Sequence, residues 1–548
     1  MSGMRDTREY PHLPEGFVFG ASTAAYQIEG AVDEDGRGRS VWDTFCDEPG
    51  RVVDGSSGAV ACDHYHRYAE DVSLMKGLGL DGYRFSIAWP RIQPEGSGRA
   101  NAAGLAFYDR LVDELLAAGI APMATLFHWD LPQALEDDGG WLNRDTAERF
   151  AEYATLVGLL LGDRVAHWIP VNEPNVVTML GYALGVHAPG RRLMFDALPA
   201  AHHLLLGHGR AVQALRNVDA ASIGTATNHT PVWAATDSDE DKEAAQGYAT
   251  LWNRLFADPV LRGRYPEGFA ALMPGPVEED LRTISSPLDF YGVNYYNPVR
   301  VAGPSTPAPE NSPMNAEALP FVLLPVEGYP HTDFGWPVVP DGLRDLLVMM
   351  HQEYDDALPP VFVTENGCAY DDGPDDSGRV ADQRRVDYLD AHLRAVGQAI
   401  EAGVDVRGYF TWSLVDNFEW AEGYTKRFGL VHVDYETQTR TPKDSYRWFA
   451  RMIAAGEFPD LAHPDVTVVI PVHDDVTYLE EALASKNIAA AEHFNQHVNL
   501  KADAFAAWNT VPRSICPRRI SILRICAAPS VMPSRTTGPT ICACDSNT

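Results

Sequence analysis

A (β/α)8 barrel with long βα loops is the fold this sequence predicts, and three observations predict it. Short β-branched and aromatic runs alternate with helical patterns over most of the chain, which is the signature of a parallel sheet. Eight such runs occur. They are spread over about 450 residues, a spacing that suits a closed barrel with elaborated loops better than an open doubly wound sheet, the alternative reading of the same alternation.

The runs follow in order. "FVFGAST" (17–23) opens the series, and "DVSLMKGLGLDGYRFSI" (71–87) reads as a helix leading into a second strand. "FYDRLVDELLAAGIAPMATLF" (107–127) and "ERFAEYATLVGLLLGDRVAHWIPV" (148–171) repeat that unit, with apolar residues at helical spacing before each β-branched stretch. "SIGTAT" (222–227), "LDFYGVN" (288–294) and "PVFVTEN" (360–366) supply three more strands, and "LRAVGQAIEAGVDVRGYFTW" (393–412) the eighth. Inside the second unit, "GLGLDG" (77–82) matches a dinucleotide-binding glycine pattern. It closes a helix and precedes a strand, the reverse of the order that motif needs, so it reads as a helix C-cap and turn.

Composition narrows the function classes. The 548 residues are 45% hydrophobic and 22% charged, which gives ample core for a soluble globular chain. A net charge of −33 argues against nucleic-acid and anionic-membrane partners, both of which need clustered Lys and Arg. "MSGMRDTREYPHLPEG" has no apolar signal region, and "LVGLLLG" (156–162) is too short to span a bilayer, so a cytoplasmic location is expected. Of seven cysteines, Cys516, Cys526, Cys542 and Cys544 crowd the C-terminus without a CxxC pair, and reduced thiols are expected throughout. No metal or other cofactor is expected. The pairs His64/His66 and His202/His203 lack a carboxylate cluster and read as core or helix-face residues.

Two carboxylates stand out. "PVNEP" (170–174) ends the fourth strand with Glu173, and "VTENG" (363–367) ends the seventh with Glu365. Taken alone, Glu173 is better explained by a structural ion pair than by a tuned pKa. Barrel chemistry lies at the carboxyl ends of strands, however, and two carboxylates facing one another across one mouth are what glycosidic cleavage requires. Like charges at such range push one pKa up, so one group can donate a proton while the other stays ionised.

From about residue 17 to 454 the chain resembles family 1 of the glycoside hydrolases. The resemblance is carried by "FVFGASTAAYQIEGA", "SVWDTF", "DHYHRYAEDV", "YRFSIAWPRI", "FHWDLPQAL", "NEP", "GVNYY", "VTENG" and "TWSLVDNFEWAEGYTKRFGL", all in order. It implies a retaining β-glucosidase with Glu173 as acid/base and Glu365 as nucleophile, supported by Arg84 and Tyr296. It also implies that Gln27, His128, Trp129, Asn172, Asn294, Tyr296, Trp412, Glu419, Trp420 and Phe428 bind the sugar. The implied substrates are β-glucosides or short cello-oligosaccharides, with tolerance of β-galactosides and β-fucosides and a capacity for transglycosylation. Glu419 and Trp420 would repel and crowd a 6-phosphate, and the presence of Glu173 sets the chain apart from thioglucosidase relatives. A barrel that binds sugar without cleaving it is the non-enzymatic alternative. Oligomeric state, monomer or homo-oligomer, is left open.

Three features depart from the family pattern. Pro170 removes a backbone donor from what should be a central strand, and Asn175 stands where many relatives carry Trp, which points to a more open or more polar aglycone side. The third is the C-terminus: after an N-terminal extension (1–16), the barrel (17–454) and a linker (455–465), residues 466–548 read as a truncated or foreign tail, partly disordered. "VTVVIPVHDDVTYLEEALAS" (466–485) resembles the start of a family 2 glycosyltransferase, too short for that domain's nucleotide site.

Overall fold

The computed structural model describes residues 13–309 and 319–455. The extreme N-terminus and the whole glycosyltransferase-like tail, with its four cysteines, lie outside the described residues. The chain divides at residues 458/459 into two units, and the first carries the barrel.

Eight parallel strands build that barrel: β1 (Val18–Ser22), β2 (Gly82–Ser86), β3 (Ala121–Phe127), β4 (His167–Val171), β5 (Ala226–Asn228), β6 (Tyr291–Asn294), β7 (Val361–Asn366) and β8 (Val406–Trp412). Each pairs with its chain neighbours, and β8 returns to β1 with Val18 opposite Gly408 and Ser22 opposite Trp412. The β4–β5 seam is the exception, closed only by isolated bridges at Trp168–Ile223 and Asn172–Ala226. Pro170 belongs to this seam. Trp168 donates its N–H to Ser222 and receives one from Gly224, so the next donor toward β5 would have come from residue 170. The missing bond falls where pairing is already sparse, and Glu173 still finds Ala226 O with its own N–H at 2.8 Å.

Helices predicted from the apolar spacing cover the outside. α1 (His64–Leu78) stops at Gly79, whose left-handed backbone lets its N–H reach the carbonyls of Met75 and Lys76, so "GLGLDG" is a helix C-cap. Inside the barrel, Met123, Ile169, Ala226, Phe290, Phe362 and Phe410 fill the lumen. Gly20 is required here, because a Cβ at that position would run into the Phe410 ring. With this plug below, only the carboxyl-end mouth is left for chemistry. The histidine pairs are structural: buried His64 sits 2.7 Å from Asp71, and His202 bridges Asp280 and Tyr265. No helix among the described residues is long and apolar enough to cross a membrane.

Candidate active site

β4 delivers Glu173 through a sharp change of direction. Its φ is +47°, and Pro174 begins the next helical turn, so the side chain is thrown into the mouth while the main chain leaves. The carboxylate is 3% exposed. Asn294 and Asn228, from the ends of β6 and β5, donate their amides to its Oε1 at 2.8 and 3.1 Å. Burial first, and then the negative charge of Glu365, push its pKa up to about 8 against the pull of the two amides and Arg84.

Glu365, on β7 and also 3% exposed, is held quite differently. Arg84 from β2 donates to Oε1 at 2.5 Å, and the Tyr296 hydroxyl donates to Oε2 at 2.8 Å. Burial lifts this carboxyl too, but the guanidinium and the phenol oppose it. A proton shared by the two glutamates therefore rests on Glu173, the one without a cation of its own.

The same arginine organises the neighbouring amides. Arg84 Nη2 donates to Asn172 Oδ1 at 2.6 Å, and Asn294 Nδ2 reaches that oxygen at 3.1 Å. With Oδ1 so occupied, Asn172 Nδ2 is the donor to His128 Nε2 at 3.1 Å, which leaves the hydrogen of neutral His128 on Nδ1. Burial and the Arg84 charge keep His128 well below the ordinary histidine range, hence uncharged.

Among the buried atoms of the described residues that lack a protein partner are His128 Nδ1, a donor, and Gln27 Oε1, an acceptor. Gln27 is oriented by its own amide, which donates to Asn417 Oδ1, Phe418 O and Glu419 Oε2 at 2.9–3.2 Å. Hydroxyl groups, which donate and accept, satisfy both orphaned atoms, and a polyol is the ligand class that presents several at once. Burial and the charge of Glu365 push half-buried Glu419 up to about 8. The loop that carries it is anchored by buried Asp416. Burial works against the ionised form of Asp416, yet Lys443 and Arg427, both at 2.9 Å, hold it below the usual carboxylate range.

Aromatic rings line the remainder. Trp412 stacks on His128 at 5.7 Å, and Trp420 lies 4.5 Å from Trp129 and 4.6 Å from Trp42, with Tyr26 stacked beneath it at 8°. Trp129, at φ +77°, donates its indole N–H to Asn172 O. On the other flank, Phe428 meets Tyr296 and Trp336 beside the Glu365 carboxylate. The residues that the family resemblance assigns to the site thus fall in one cluster. Sequence reasoning missed Asn228, Trp252 and the supporting Trp42, Tyr26 and Trp336. Asn175 also needs correction: its side chain is buried and its amide turns inward to Asn228 O and Trp252 O at 2.8 and 3.3 Å, so it does not add polarity to an open aglycone side.

The sequence model of glycosyl hydrolase family 1 matches residues 9–458. The chain is 45% identical over 454 residues to β-glucosidase A of Acetivibrio thermocellus, an alignment covering 81% of this chain and 99% of that protein. It is likewise 45% identical, over 459 residues, to a bifunctional β-D-glucosidase/β-D-fucosidase of Bifidobacterium breve, covering 81% and 98%. Among solved structures, the family 1 β-glucosidase of Thermotoga maritima superposes with a TM-score of 0.78 at 44% identity, covering 82% of this chain and all of that one.

Proposed function

The chain belongs to glycosyl hydrolase family 1 and is a β-glucosidase, and from that premise we propose that it works by double displacement with retention of anomeric configuration. Glu365 is the nucleophile and Glu173 the acid/base. In the first step Glu365 attacks the anomeric carbon while Glu173 protonates the departing oxygen; in the second, Glu173 takes a proton from water, which attacks the glycosyl-enzyme and releases Glu365.

One observation carries this reading: the two glutamates share a mouth but are held in opposite ways. Arg84 and Tyr296 occupy both oxygens of Glu365, which suits an anion, whereas among the described residues the side chains that donate to Glu173 are amides and its pKa is shifted to about 8, which suits a proton donor. Gln27, His128 and Glu419 bind hydroxyls of the glycone. Trp412 and Trp420, with Trp129 and Phe428 behind them, form its apolar floor and walls, and Asn172 and Asn294 brace the reacting end.

The substrates on this reading are β-glucosides and short cello-oligosaccharides. β-Fucosides, as in the Bifidobacterium breve relative, and β-galactosides follow, because each differs from glucose by little at a cradle built of adaptable hydrogen bonds. The glycosyl-enzyme can pass its sugar to an alcohol as well as to water, which gives transglycosylation. The activity resides in residues 17–454 and does not need the tail. Trapping with 2,4-dinitrophenyl 2-deoxy-2-fluoro-β-glucoside and peptide mapping by mass spectrometry tests the assignment. An adduct on the peptide containing Glu365 is expected, and an adduct elsewhere would overturn it.

A further inference from the structure

We propose that Asn228, oriented by Trp252, is a positioning residue that fixes which oxygen of Glu173 carries the transferable proton; this rests on Glu173 being the acid/base. Among the described residues two side-chain donors reach Glu173, and both go to Oε1. An amide nitrogen only donates, so Oε1 has both lone pairs engaged as an acceptor whether Glu173 is charged or neutral. A proton placed on Oε1 would displace one of those donors. It therefore sits on Oε2, the oxygen that neither amide engages.

Of the two amides, Asn294 is fixed by the reacting core itself, sharing its nitrogen with Asn172 and accepting from Thr364 Oγ1 at 2.6 Å. Asn228 is fixed from outside. The Trp252 indole N–H, which only donates, lies 3.1 Å from Asn228 Oδ1, and this forces the Asn228 nitrogen toward Glu173. Buried Asn175 ties the main chains of both residues together, and Trp252 in turn stacks on Tyr248 at 12°. Without the indole, the Asn228 amide is free to rotate and present its oxygen, which would take the proton from Glu173 into an internal bond and away from the glycosidic oxygen.

The test is kcat/KM for Asn228→Ala and Trp252→Phe on two β-glucosides that differ in their demand for acid assistance: cellobiose, with a poor leaving group, and 2,4-dinitrophenyl β-glucoside, whose phenolate leaves unprotonated. Asn228→Ala is expected to lose about tenfold on cellobiose, the worth of one hydrogen bond to an ionisable group, and no more than about threefold on the dinitrophenyl substrate. Trp252→Phe is expected to show the same selectivity, and it carries the test alone should Asn228→Ala not fold. Equal losses on both substrates, or none on cellobiose, would overturn the proposal. Glu173→Gly on the same pair separates the two levels. Full activity on cellobiose would sink the acid/base reading and the proposal together, whereas a dead Glu173→Gly beside a wild-type-like Asn228→Ala would sink only the role of Asn228.

Discussion

Replacing Tyr296 by Phe removes one hydrogen bond from Glu365, the proposed nucleophile, and should move the acid limb of the pH profile upward. Glu365 Oε2 has the Tyr296 hydroxyl at 2.8 Å as its donor, while Arg84 serves Oε1. A hydrogen bond to an ionised group contributes about 1.5–3 kcal/mol, and one pKa unit corresponds to about 1.36 kcal/mol. Tyr296 is half-buried, so water can partly replace the phenol, and the lower end applies: a rise of about one unit. The sign follows from the donor. The phenol favours the charged carboxylate and so lowers the pKa; its loss raises it, and since attack needs the anion, activity is lost at a higher pH on the acid side. Measured as kcat/KM on 4-nitrophenyl β-glucoside, the variant should fall about tenfold relative to wild type across the acid limb, with the ratio recovering as pH rises. An acid limb that stays in place, or moves down, would refute the reasoning.

Other outcomes follow from the same contacts. Glu173, pushed up to about 8, must be protonated to act as acid, so wild-type kcat/KM on cellobiose should fall as pH rises through about 8. The dinitrophenyl glucoside, needing no acid, should fall less over that range, the difference between the two profiles reporting Glu173, because Glu419 titrates there too and serves both substrates. Phe362→Ala, which empties the centre of the barrel plug between Phe290 and Phe410, should cost about 3–5 kcal/mol in urea denaturation while leaving KM nearly unchanged. Truncation after residue 458, where the family match ends, should leave kcat/KM within about twofold, measured on the purified fragment.

The barrel was legible because its strands are apolar runs bounded by helices with clear spacing, and the rule that chemistry gathers at carboxyl ends then picks out Glu173 and Glu365. Asn228 escaped because "SIGTAT" reads as a strand that ends at Thr227. In the structure regular pairing begins only at Ala226 and continues to Asn228, with Ile223 joined by an isolated bridge. The available signal was an amide at a barrel strand's end, the same signal that marks Asn294. Trp42 and Tyr26 escaped because nothing local to "VW" or "AYQ" tells that these rings lie against Trp420 from a loop almost 400 residues away. Pro170 misled in the other direction: a proline in a strand argues for lost pairing, and only the ring closure shows that the lost bond falls on the loosest seam.

The central claim, that Glu365 forms a glycosyl-enzyme which is then resolved with retention, is tested most directly by Glu365→Gly with azide. The variant should be inactive on activated β-glucosides until azide is added, and the product should then be α-glucosyl azide, formed by a single inversion in the space the carboxylate occupied. A variant that still hydrolyses at the wild-type rate, or that yields only β-glucosyl azide, would contradict the account.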